Sequence, residues 1–136
     1  MVEIDIEYEG DLHCRARHGP SAAEIVTDAP VDNEGRGEAF SPTDLLATSL
    51  GVCMMTVMGI HARRKGIDLK GTRVQVIKEM VADPVRRIGR LTVTFDLPAR
   101  LDAEQRAGLE AAACTCPVCH SLHPDVKREI AFRYGA

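Results

Sequence analysis

One stretch constrains this chain more than any other: SPTDLLATSLGVCMMTVMGIHARRKG, from Ser41 to Gly66. Ser41 suits a helix N-cap and Pro42 the first helical position. Asp44 stands three residues after Ser41, where a carboxylate closes a capping box and meets the positive end of the helix. At the far end, Arg63, Arg64 and Lys65 place positive charge in the last turn and Gly66 supplies a C-cap. Start and stop signals agree on a helix over 42–65. Its middle is apolar on nearly every side, which predicts burial all round. A domain of 136 residues has difficulty burying so much helix alone, and that points to a partner subunit.

The rest of the chain alternates. Val2, Ile4 and Ile6 are separated by polar residues, the period of a half-buried strand. Gly10-Asp11 reads as a hairpin turn, with Leu12, Cys14 and Ala16 on one face of the returning strand. EIVTDAP is a third strand stopped by Pro30, so strands fill residues 1–30. The glycines and charges of residues 30–41 mark an exposed loop. After the helix, TRVQVIKEMV and RIGRLTVTFDLP alternate around a loop, giving a hairpin over 68–97. Helices follow over 102–123, the first capped by Asp102 and a short second one starting after Pro117. A final strand covers 127–135. The order β-β-β-α-β-β-α-α-β predicts an α+β fold of antiparallel sheets with a long central buried helix, in a single domain spanning 1–136.

Composition narrows the function. Apolar residues make up 45 % and charged residues 27 %, a globular balance. The net charge is −3 with both signs interspersed, so nothing resembles the basic stripe of a nucleic-acid binder. The opening MVEIDIEYEG has neither the basic nor the apolar region of a signal peptide. The apolar run from Leu45 to Ile60 is broken by hydroxyl residues and falls short of the roughly 20 residues that cross a bilayer. These features predict a cytoplasmic protein that binds neither nucleic acid nor membrane.

Five cysteines remain: Cys14, Cys53, Cys114, Cys116 and Cys119. In a reducing compartment a disulfide framework is not expected, which leaves core thiols, metal ligands or redox chemistry. Cys14 reads as a small core residue of its strand. Cys53 stands about three turns into the helix, beyond the reach of its dipole. Activating it requires a nearby cation, for which Arg36 in the preceding loop is the first candidate and Arg15 and Arg17 are weaker ones. Cys116-Pro-Val-Cys119 has the spacing of a redox pair at a helix start. Zinc bound by Cys114, Cys116, Cys119 and His123 is the alternative, although that set is unusually compact.

Cys53 in SPTDLLATSLGVCMMTVM, followed 63 residues later by Cys116 in CPVCHSL, resembles the OsmC/Ohr family of osmotically inducible and organic hydroperoxide resistance proteins. The resemblance rests on a Pro-acid-Leu helix start leading to a cysteine and on a later Cys-Pro pair, and it extends over nearly the whole chain. It implies an intertwined homodimer with the long helices at its centre. It also implies a thiol-dependent peroxidase in stress defence, with Cys53 as the peroxide-attacking cysteine and Cys116 as the resolving one. No cofactor is implied, only an external dithiol reductant and a small hydroperoxide as substrate.

In that scheme Arg36 stabilises the thiolate, with Asp44 as the neighbouring acid and Thr43, Met54 and Met58 walling an apolar pocket. The chain departs from the family at one position. A glutamate that holds the arginine is replaced here by Thr43, and Asp44 lies about 100° further round the helix. The rival readings are an OsmC-like protein without peroxidase activity, acting as a small-molecule binder or scaffold, and the zinc module at 114–123.

Overall fold

The computed structural model describes residues 1–135. The chain divides into two compact units, Met1–Leu46 and the residues from Ala47 onward.

The first unit is an antiparallel meander of β1 (Ile4–Gly10), β2 (His13–His18) and β3 (Glu24–Asp28). The turn between β1 and β2 runs through left-handed backbone at Gly10, Asp11 and Leu12. Glycine and aspartate tolerate that region, which is why this pair reverses the chain. The register sets Tyr8 opposite Cys14 and His13 opposite Asp28. A short 3-10 turn at Val31–Asn33 interrupts the loop that follows.

The alternation in β1 is present, but its apolar side is not covered by the chain itself. Ile4, Ile6 and Tyr8 are all exposed, as are Ile25 and Val26 of β3. A three-stranded sheet has too few neighbours to bury a face without a further layer.

Helix α1 (Pro42–Lys65) carries the chain into the second unit. Its start is a reciprocal capping box. The Asp44 N–H donates to Ser41 Oγ at 3.1 Å and the Ser41 N–H donates to Asp44 Oδ2 at 2.9 Å. Its end is a Schellman motif on left-handed Gly66, in which Gly66 N–H donates to the Arg63 carbonyl and Ile67 N–H to that of Ala62. Both ends therefore match the sequence signals.

Burial all round does not hold within the chain. Leu50, Met54, Met58 and Ala62 are buried, whereas Leu46, Val52 and Ile60 are exposed. The reason is geometric. One sheet covers one side of a helix and leaves residues on the other side exposed. By length and apolar composition alone α1 is long enough to cross a bilayer, because its 24 residues exceed the apolar run counted from the sequence. Its buried face belongs to the core of the second unit.

The sheet of the second unit has the order β4–β5–β6, built from β4 (Arg73–Val81), β5 (Arg87–Leu97) and β6 (Lys127–Tyr134). The β4–β5 pair is the expected antiparallel hairpin. The β5–β6 pair is parallel, because α2 (Ala103–Ala113) and α3 (Pro117–Ser121) form a crossover between those strands. Central β5 holds the core, with Leu91, Val93 and Phe95 wholly buried. Phe95 stacks on Phe132 at 5.1 Å between ring centroids. Helix α2 begins with a second capping box, between Asp102 and Gln105. The architecture is α+β, with one antiparallel sheet, one mixed sheet and one long helix.

Candidate thiol site

The two cysteines singled out from the sequence come together in the second unit. Cys53 is half-buried on α1 and packs against the core, and Cys116 is wholly buried within it. Leu46, Cys53 and Ile60 recur every seventh residue, so they share one face of α1. Leu46 and Ile60 are exposed, which sets Cys53 at the border between the uncovered side of the helix and its core face.

Cys116 is held by its own helix. It is the N-cap of α3, Pro117 occupies the first helical turn, and the Cys119 N–H donates to Cys116 Sγ at 3.3 Å. Burial pushes the Cys116 thiol above its ordinary pKa. A hydrogen bond to Cys53 and the charge of that neighbour push the same way, against the opposing backbone N–H of Cys119. Both effects of Cys53 show that the two sulfurs are neighbours. The net effect keeps negative charge off Cys116.

Met54 and Met58 are core residues with 2 % and 0 % exposure. A cavity of about 380 Å³ opens instead beside Thr48, Gly51, Val52 and Met55 of α1 and Val74 and Val76 of β4. The four helix residues have the i, i+3, i+4, i+7 spacing of one face, a signal legible in the sequence. Cys53 is turned about 100–160° away from each of them, so the cavity is separate from the thiol pair.

Thr43 belongs to the helix start, with its Oγ1 3.3 Å from Ser41 Oγ, and Asp44 serves the cap. Arg36 sits on the loop of the first unit, largely exposed and 3.6 Å from Glu38.

The alternative zinc ligands do not converge. Among the described residues, the one group of three or more ligand-type side chains within 4.8 Å is His13, Asp28 and Glu38. Cys114 is exposed, and the exposed His123 instead accepts the Asp125 N–H at 3.0 Å.

Comparisons with known proteins follow the same lines. The family model described as OsmC-like protein matches residues 35–131. A protein from Psychrobacter arcticus 273-4, provisionally assigned to osmotic stress induction and the detoxification response, is 47 % identical. That match covers 98 % of this chain and 96 % of the other, with a TM-score of 0.92. An OsmC-like protein from Mycoplasma pneumoniae shares the fold at 14 % identity and a TM-score of 0.82, over 100 % of this chain and 98 % of that one. The organic hydroperoxide resistance protein OhrB of Bacillus subtilis does so at 15 % identity and a TM-score of 0.71, over 98 % of each chain. No curated protein matches the chain. With the family model spanning most of its length, and both of its cysteine motifs meeting in one fold, the chain belongs to the OsmC-like protein family.

Proposed function

We propose that the protein is a thiol peroxidase of stress defence that reduces organic hydroperoxides, and also hydrogen peroxide, through Cys53 and Cys116. The observation that carries this reading is that the buried Cys116 and the half-buried Cys53 are neighbours, close enough for Cys53 to raise the pKa of the Cys116 thiol. The Cys53 thiolate attacks the distal oxygen of the hydroperoxide and the O–O bond breaks. The alkoxide leaves and takes up a proton as the alcohol, and Cys53 becomes a sulfenic acid. The Cys116 thiol then attacks the Cys53 sulfur, a disulfide forms, and the hydroxyl departs with the thiol proton as water. An external dithiol reduces that disulfide by exchange and is itself oxidised.

In this scheme Arg36 steadies the thiolate and the charge on the leaving oxygen. Thr43 brings no carboxylate to hold the guanidinium, and Glu38, 3.6 Å from Arg36, is the acid that does. The working form is a homodimer in the cytoplasm. The exposed apolar residues of α1 and of β1 support a second copy as their cover.

The test is a peroxidase assay with an alkyl hydroperoxide and with hydrogen peroxide, using dithiol and monothiol reductants. Cys53→Ser should abolish turnover. Cys116→Ser should stop after one sulfenic acid per chain. Full activity in the Cys53→Ser protein overturns the proposal, as does the absence of a Cys53–Cys116 disulfide under mild peroxide.

A further inference from the structure

Outside the thiol pair, the first unit gathers one cluster of ligand-type side chains. His13 opens β2, Asp28 closes β3, and the sheet register sets them directly opposite. Glu38 reaches them from the loop before α1. His13 Nε2 lies 3.6 Å from Asp28 Oδ1 and 3.4 Å from Glu38 Oε2. Both separations are longer than the 2.7–2.9 Å, roughly, of a charge-assisted hydrogen bond. They match the edge of a tetrahedral site, where bonds of about 2.0–2.2 Å set neighbouring ligand atoms about 3.3–3.6 Å apart.

A second observation concerns Asp28 alone. Its side chain is 1 % exposed. Oδ2 accepts the Glu38 N–H at 2.9 Å, while the buried Oδ1 has no hydrogen-bond partner. A buried carboxylate oxygen in that state costs free energy unless a cation or a donor meets it. That oxygen is the one facing His13.

We propose that His13 Nε2, Asp28 Oδ1 and Glu38 Oε2 bind a divalent transition-metal cation of zinc-like size and geometry. One imidazole with two carboxylates suits such an ion, and water completes its coordination. The Glu38 backbone N–H that binds Asp28 Oδ2 orients the Asp28 carboxylate, as outer-shell bonds do in metal sites. Glu38 Oε1 stays 3.6 Å from Arg36, so the cation clamps the Arg36-bearing loop to the edge of the first sheet. Glu38 is shared with the Arg36 contact of the peroxidase reading, but the binding readout does not depend on peroxidase activity.

Cobalt(II) alone, added to the reduced, chelator-stripped full-length protein, tests the site. Its spectrum separates thiolate ligation from nitrogen and oxygen ligation, and the cysteines near α3 are the competing ligands. The expected result is one equivalent per chain with the bands of a tetrahedral nitrogen–oxygen site and no thiolate charge-transfer band. His13→Ala and Glu38→Gln should each weaken binding at least about tenfold. Thermal melts of the metal-free variants check their folding. If His13→Ala fails to fold, the isosteric Glu38→Gln at its exposed position decides. Three results overturn the proposal: no saturable binding of one equivalent, a thiolate band at one equivalent, or affinity unchanged in a folded Glu38→Gln protein.

Discussion

The buried thiol of Cys116 neighbours the half-buried Cys53, joining the N-cap of a short helix to the middle of a long one. The arrangement gives the two sulfurs unlike chemistry. Burial withholds charge from Cys116, and Cys53 lies at the border of the uncovered side of α1.

That difference sets an order of reaction. A raised pKa means a smaller thiolate fraction at any given pH, and the thiolate is the form that alkylates. Cys116 should therefore react with iodoacetamide well after Cys53 at pH 8. Its rate should climb only as the pH passes above the ordinary thiol pKa of about 8.5. Timed alkylation read by peptide mass spectrometry checks this. Cys116 reacting first would contradict the assignment of roles.

The uncovered face of α1 predicts a change of mass. Ile60→Asp places a charge on the exposed strip shared with Leu46 and Cys53. The wild-type protein should sediment at twice the 14.8 kDa chain mass and the variant close to the single-chain value. A wild-type protein that sediments as one chain at micromolar concentration removes the dimer.

Two helix glycines should respond oppositely to alanine. A Cβ on Gly59 meets nothing within 4 Å, whereas one on Gly51 would stand 2.6 Å from Val76 Cγ2. Helix propensity favours alanine by up to about 1 kcal/mol at both positions. At Gly51 the clash adds about 1–3 kcal/mol of overpacking. Chemical denaturation should show Gly59→Ala stabilised and Gly51→Ala unchanged or destabilised by up to ~2 kcal/mol.

Tyr134 links β6 to α2. Its O–H donates to Glu110 Oε2 at 2.7 Å, and Arg106 lies over its ring at 4.3 Å. Burial, with the Glu110 hydrogen bond and charge behind it, pushes the phenol well above its ordinary pKa, against the pull of Arg106. The folded state thus holds this proton more tightly than the unfolded state. The resulting stability is fully present below about pH 10 and is lost as pH rises through the folded value. Tyr134→Phe should cost roughly 0.5–1.5 kcal/mol at pH 8. Thermal melts should show that gap narrowing from pH 10 upward.

Some of this was determined by the sequence alone. Ser41, Asp44, Gly66, Asp102 and Pro117 mark helix ends through contacts a few residues long, so the caps of α1 and α2 are legible without any tertiary information. Alternation predicts the strands because a pleat imposes it locally. The pairing of Cys53 with Cys116 was suggested only by family resemblance, since no local rule joins residues so far apart. Tertiary structure alone decided that β6 runs parallel to β5, that Met54 and Met58 are core, and that Met55 lines the cavity. The His13, Asp28 and Glu38 cluster depends on the β2–β3 register and on the path of the loop that follows. Apolar pattern tells which residues leave water, but which neighbours they meet is set by packing between distant segments. The exposed faces of β1 and α1 carry the same lesson, for their pattern calls for a cover that the described residues do not supply.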